Sequence, residues 1–218
     1  MSDDPETRRQ IAALAADDRP LLVLDVDDVV LEFIRPFPRF LESMGYRLKL
    51  DSFRLHGNVV AVDSGRPAEP ATVTELMDAF FSSQADWQMP TEGAAEALAA
   101  FDGPAEIVML TAMPHRHHAV RRGHLEALGL CHPLVTTEAA KGPALKALRG
   151  AHPRPVAFVD DIPRNLISAR ETVADAHLFH LMADNSLRAL LPPFEAAGIT
   201  TVESWPEAQP KIARALGL

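Results

Sequence analysis

The chain has a single cysteine, Cys131, among 218 residues. An internal disulfide framework is excluded, and the composition fits a reducing, cytoplasmic compartment. Also missing is any run of about 18 apolar residues, the length a spanning helix needs, so no membrane partner is expected. The first nine residues are acidic and polar rather than basic then apolar, and do not read as a secretory signal. Basic excess is lacking too. Thirty Asp and Glu against 21 Lys and Arg leave a formal charge of -9. Phosphate backbones are bound by basic surfaces, so a nucleic-acid polymer is not an expected partner. No internal repeat or low-complexity tract stands out, and nothing specifies an oligomeric state. What is present is 47% hydrophobic residues, enough for one sizeable core and a small appendage.

The chain is organised around Leu21-Leu22-Val23-Leu24-Asp25-Val26-Asp27-Asp28-Val29-Val30. Four consecutive aliphatics after Pro20 read as a strand buried on both faces, as in the centre of a parallel α/β sheet. The acids then stand at its carboxyl end, where open α/β sheets place their ligands. Alternate strand side chains share a face, so Asp25 and Asp27 can look into one crevice. Two close carboxylates repel unless a cation neutralises them or one keeps its proton.

A short, weakly docked helix is expected over residues 6 to 17. From 31 to about 45, Phe33, Ile34, Phe37, Phe40, Leu41 and Met44 fall at helical spacing, with Pro36 and Pro38 implying a break or a late start. Two short strands around His56-Gly57-Asn58 and a helix from Thr72 to Phe81 follow. Residues 31–90 lack the strand-then-helix rhythm of the rest and are read as a small inserted cap, with 1–30 and 91–218 as the core. After Pro90, Thr91 is expected to cap a helix through Phe101. Strands at 106–110, 133–137, 156–159, 177–181 and 199–202 alternate with helices at 115–128, 141–148, 164–174 and 206–216. That alternation predicts a three-layer, Rossmann-like α/β core with a mainly parallel sheet.

Four strand-end signals share one rim in such a sheet: Asp25/Asp27, Thr111, Lys141 and Asp160/Asp161. Asp25 and Asp160 offer the oxygen ligands that Mg²⁺ takes. Thr111 and Lys141 offer a hydroxyl and a cation to a phosphoryl group. Asp25 can attack phosphorus, and Asp27 can protonate the leaving alcohol.

In this arrangement the sequence resembles the haloacid dehalogenase-like superfamily of phosphohydrolases. The motifs are Asp25-Val26-Asp27-Asp28-Val29-Val30, Val108-Met109-Leu110-Thr111, Lys141-Gly142-Pro143-Ala144-Leu145 and Phe158-Val159-Asp160-Asp161. Their order and spacing suit the family over about residues 20 to 182, whereas the cap matches by position only. The resemblance implies a Mg²⁺-dependent phosphomonoester hydrolase acting through an aspartyl-phosphate on a small soluble phosphorylated substrate. Asp25 would be nucleophile and metal ligand, Asp27 the acid/base whose backbone carbonyl also ligates the metal, and Asp160 the third protein ligand. Asp161 would assist, and Thr111 and Lys141 would bind phosphate. Family members that displace halide lack the second aspartate, so Asp27 points to phosphoryl chemistry. A phosphomutase of the same superfamily, or a ligand-binding protein with little turnover, is the alternative.

Asp28 stands where many relatives carry Gly and is expected to be a turn acid facing solvent. Arg164, beside Asp161, is a candidate for substrate anion, and Asn165 for organising the loop. Lys146 competes with Lys141, which is favoured because it opens the helix. His115, His117 and His118 with Arg121, Arg122 and His124 read chiefly as a solvated face, with a cationic rim or a second metal site as alternatives. Phe33, Arg35 and Phe37 suit a nucleotide base and its phosphate, or, for the two rings, a core helix face. No role is read for His56.

Overall fold

The computed structural model describes residues 4–49, 55–151, 153–182 and 196–218. A six-stranded sheet runs in the order β5-β4-β1-β6-β7-β8, from β1 (Leu21–Leu24), β4 (Glu106–Thr111), β5 (Leu134–Thr136), β6 (Val156–Asp160), β7 (His177–Leu181) and β8 (Ile199–Val202). Every pairing in it is parallel. β1 lies between β4 and β6, and all four of its side chains are fully buried.

Alternation explains why that strand carries no polar residue. Leu22 and Leu24 join a cluster containing Leu98, Phe101, Leu125, Trp205 and Ile212. Leu21 and Val23 face the opposite cluster, with Leu145, Leu148, Leu166 and Ala169. The first layer is contributed by α4 (Ala94–Phe101), α5 (His118–Ala127) and α8 (Trp205–Leu216); the second by α6 (Lys141–Arg149) and α7 (Pro163–Thr172). Each buried aliphatic contributes about 1.5–3 kcal/mol, so a charge at any position of β1 would be expelled from either face. The core is thus the expected three-layer α/β arrangement.

Between β1 and β4 the chain leaves the sheet and builds a second unit. It comprises α2 (Pro36–Ser43), β2 (Tyr46–Leu48), β3 (Val59–Ala61) and α3 (Pro70–Ser82), with β2 and β3 antiparallel. Pro36 occupies the first turn of α2, where its missing N–H is harmless, which accounts for the late start. This unit has its own apolar cluster, in which Phe37 stacks on Phe33 at 5.1 Å and meets Phe80 edge-on at 5.2 Å.

Two local expectations are corrected. Thr91 does not cap α4: its hydroxyl donates to Val29 O at 2.6 Å, and Gly93, in a left-handed conformation, precedes the helix. Trp205 Nε1 donates to the same carbonyl at 2.9 Å, so both side chains brace the turn after β1. The N-terminal helix α1 (Pro5–Ala12) is shorter than expected and firmly docked. Asp4 caps it through Thr7 N, Thr7 donates to Thr136 O, and Gln10 exchanges hydrogen bonds with Thr136.

Candidate active site

The carboxyl ends of β1, β4 and β6, with the first residue of α6, bring Asp25, Thr111, Asp160 and Lys141 together. Lys141 Nζ lies 2.7 Å from Asp25 Oδ1 and 2.7 Å from Asp160 Oδ2, with its side chain wholly buried. Lys146 is exposed, five residues further along the chain. Asp160 is held from the other side by Ile162 N at 2.8 Å and by Asn165 Nδ2 at 3.0 Å. Asn165 therefore organises the loop, as expected, and does so through the carboxylate itself. Thr111 Oγ1 accepts from Met113 N at 3.2 Å, which orients the hydroxyl.

Burial pushes the Asp25 carboxyl up to about 7, with Lys141 opposing the rise and Asp160 and Asp27 adding to it. Asp161 is also raised well above the usual range, first by burial and then by repulsion from Asp25 and Asp160. For Lys141 burial works against the charged form, but attraction from Asp160 and Asp25 outweighs it, and the net shift is upward. Carboxylate oxygens of Asp25, Asp160 and Asp161 come within 4.8 Å of one another. Three buried acids against one ammonium leave a deficit of positive charge. Oxygen-only donors in that state fit a hard divalent cation.

Asp27 is held by Gln88, which the sequence did not single out, and by Arg121, which was read there only as part of the histidine–arginine stretch. Its Oδ1 accepts from Arg121 Nη2 at 2.9 Å and from Gln88 Nε2 at 2.8 Å. Gln88 Oε1 in turn accepts from Arg121 at 3.1 Å, and Gln88 Nε2 also reaches Glu32 O at 3.0 Å. Arg121 is fully buried and Gln88 likewise.

This overturns the solvated-face reading for part of the histidine–arginine stretch, whereas Arg116 is exposed. His117, Arg121 and His124 are buried, and each finds a protein partner: Asp78 Oδ1 at 2.9 Å, Asp27 and Gln88 O at 2.9 Å respectively. His115 meets Asp4 and Thr136, and His118 meets Leu134 O. Their ring nitrogens go to separate partners, and among the described residues no histidine joins a metal-type cluster. The spacing of 117, 121 and 124 on one helical face was legible. That this face points inward, onto the segment returning from the second unit, was not.

Asp28 is a turn acid, but it is buried rather than facing solvent. Its φ of +59° is left-handed, a conformation that Gly adopts freely and Asp tolerates. Its Oδ1 accepts from Phe33 N at 2.8 Å and Ile34 N at 2.9 Å, so the side chain closes the turn.

Above these acids lies a cavity of about 650 Å³. Asp25, Asp27, Thr111 and Asp161 line its floor, and Arg164 and Asn165 line it beside them. Arg164 is exposed and makes no ion pair among the described residues. Of the trio suited to a nucleotide, Phe33 reaches the cavity, Phe37 is core, and Arg35 pairs with exposed geometry to Glu32 at 2.8 Å. His56 lines the cavity as well.

No model of a known protein family matches the chain, and no curated protein does. Solved structures do. A haloacid dehalogenase-like family hydrolase from Xanthomonas campestris is 14% identical, covering 92% of this chain and 97% of that one, with a TM-score of 0.58. A HAD family hydrolase from Deinococcus radiodurans with bound phosphate and sodium is 17% identical over 91% and 96%, at 0.55. A candidate β-phosphoglucomutase from Thermotoga maritima is 14% identical over 89% and 99%, at 0.58. At such identities the likeness is one of architecture, and the chain has the fold of the haloacid dehalogenase-like hydrolases and phosphatases.

Proposed function

We propose that the protein is a Mg²⁺-dependent phosphomonoester hydrolase working through an aspartyl-phosphate. The observation that carries this reading is the convergence of Asp25, Asp27, Thr111 and Asp161 on the floor of one cavity, with buried Lys141 bridging Asp25 to Asp160. Asp25 attacks phosphorus, and the ester oxygen leaves with a proton from Asp27. Asp27, now a base, takes a proton from the water that attacks the acyl phosphate, and Asp25 is released with inorganic phosphate. Lys141 and Thr111 hold the phosphoryl oxygens as their charge grows. Asp25 and Asp160, with Asp161 and the Asp27 carbonyl, would hold Mg²⁺; bound there, it would neutralise the repulsion between carboxylate and phosphate.

Residues 31–90 act as a cap in this reading, excluding bulk water when closed over the substrate. The likeness to a candidate β-phosphoglucomutase supports one second reading, a phosphomutase that passes the phosphoryl group to a substrate hydroxyl instead of water. A phosphate-release assay over phosphomonoesters, with and without Mg²⁺, separates these. Metal-dependent release abolished in both Asp25→Asn and Asp27→Asn supports the hydrolase. Isomerised ester without free phosphate supports the mutase, and turnover persisting in Asp25→Asn removes the nucleophile assignment.

A further inference from the structure

Among the described residues, much of the wall of the cavity above the acids is apolar. Phe33, Ile34, Leu48, Leu55, Met77 and Met113 contribute to it, and all but Met113 are partly exposed. They come from the segment just before α2, from β2, from the residues before β3, from α3 and from the loop after β4, so much of the lining among the described residues is hydrocarbon.

Of the polar groups on that wall, Thr74, Asp78 and Arg116 are already engaged within the protein; His56 stands there as well. The Thr74 hydroxyl donates to Pro70 O, one turn back in its own helix, at 3.1 Å. Asp78 accepts from Arg116 and from His117, at 3.1 Å for Arg116 Nε and 2.9 Å for His117 Nε2. A ligand carrying several hydroxyls would leave them poorly matched here, and each unpaired polar group buried in a dry site weakens binding. A ligand with a hydrocarbon body would instead bury apolar surface against apolar surface.

We infer that the substrate is the monophosphate of an alcohol with an apolar or aromatic body, and not a polyhydroxylated sugar phosphate. The inference rests on the phosphohydrolase reading for the anchoring of the phosphate at Asp25, Thr111 and Lys141. The chemistry of the wall supplies the rest: the phosphate sits on the polar floor and the organic group fills the chamber beneath α3. Phe33, whose ring is backed by Phe37 at 5.1 Å and met edge-on by Phe80 at 5.4 Å, is a rigid surface for a planar group.

The test is calorimetric titration of the Mg²⁺-loaded protein with three non-hydrolysable anions: methylphosphonate, benzylphosphonate and the phosphonate analogue of a hexose 6-phosphate. Benzylphosphonate should bind at least tenfold more tightly than methylphosphonate, with a negative heat-capacity change, and the hexose analogue should gain nothing over methylphosphonate. Met77→Asn and Ile34→Asn, each checked for an unchanged circular dichroism spectrum, should shrink the benzyl preference. A hexose analogue that equals or exceeds benzylphosphonate overturns the inference, as does a benzyl preference untouched in both variants. Turnover of benzyl phosphate reads the underlying function separately. Preference without turnover of any ester removes the hydrolase reading and leaves the ligand class standing; turnover confined to sugar phosphates does the reverse. Binding of none of the three anions removes both.

Discussion

Arg121 and Asp27 are 94 residues apart, yet Arg121 Nη2 donates to Asp27 Oδ1 across 2.9 Å, from a side chain with no solvent exposure. Gln88 donates to the same oxygen, so one carboxylate oxygen is pinned by two donors and the other is left for the cavity. Nε and Nη1 of Arg121 have no hydrogen-bond partner among the described residues, and its guanidinium sits 5.7 Å from the Phe81 ring centre. A buried cation held so closely on one acid is a positioning group for that acid.

The expected signature is dependence on the leaving group. Arg121→Met should lower kcat/KM for benzyl phosphate, whose alcohol needs a proton, by about 100-fold, the scale of general acid catalysis. For p-nitrophenyl phosphate, whose phenolate leaves unaided, the loss should stay under about tenfold on the same reasoning. Equal losses on both esters would mark Arg121 as merely structural.

Asp25 links pH to stability in the metal-free protein. Its carboxyl is raised to about 7 by burial, with Lys141 opposing and Asp160 and Asp27 reinforcing, against about 3.9 in an unfolded chain. The folded state thus binds this proton more tightly, so the contribution is fully present below about pH 4 and is lost as pH rises through about 7. Asp25→Asn cannot ionise and escapes that loss. In chelator, the melting temperature of the variant relative to wild type should rise between pH 5 and pH 8. Saturating Mg²⁺ should restore wild type at pH 8. A difference that does not change with pH would contradict the electrostatic account.

Gly142, second residue of α6, reverses the usual effect of Gly→Ala. In an open helix the change is worth about 1 kcal/mol of added stability. Here a Cβ would stand 2.2 Å from Ser168 O and 2.5 Å from Thr172 Oγ1, on α7. Backbone cannot yield as a flexible side chain does, so Gly142→Ala should cost about 1–3 kcal/mol. Because it displaces the helix carrying Lys141, phosphate turnover should fall as well. Denaturant melts and kcat, measured together, check both.

At Asp28 two requirements coincide: a left-handed backbone and an acceptor for Phe33 N and Ile34 N. Asn keeps both, Gly keeps the first, and Val keeps neither while adding about 1–2 kcal/mol of backbone strain. Melting temperatures should rank Asn above Gly above Val. A Val variant as stable as the Asn one would mean the turn is set elsewhere.

Much of the architecture was legible because hydrophobic periodicity is a local property. Leu21–Leu24 could be recognised as a doubly buried strand from four adjacent aliphatics, and parallel alternation then placed Asp25, Thr111, Lys141 and Asp160 on one rim. The local misreadings have local causes. Thr91 has the right residue type for a cap, but its hydroxyl is claimed by Val29 O, 62 positions away. The N-terminal helix looked weakly docked because its anchors, Thr136 and His115, lie more than a hundred residues downstream.

By itself, then, the sequence determined the order of strands and helices, the acid-tipped central strand and the class of oxygen donors gathered at its end. These follow from side-chain type and spacing, which act over a few residues. Only the tertiary structure decided which face of the His117–Arg121–His124 stretch turned inward, that Gln88 and Arg121 share Asp27, and that apolar side chains make up much of the wall above the acids. Each of those depends on two or more segments packed side by side. Burial and charge pairing across such contacts are set by three-dimensional proximity, which no local spacing encodes.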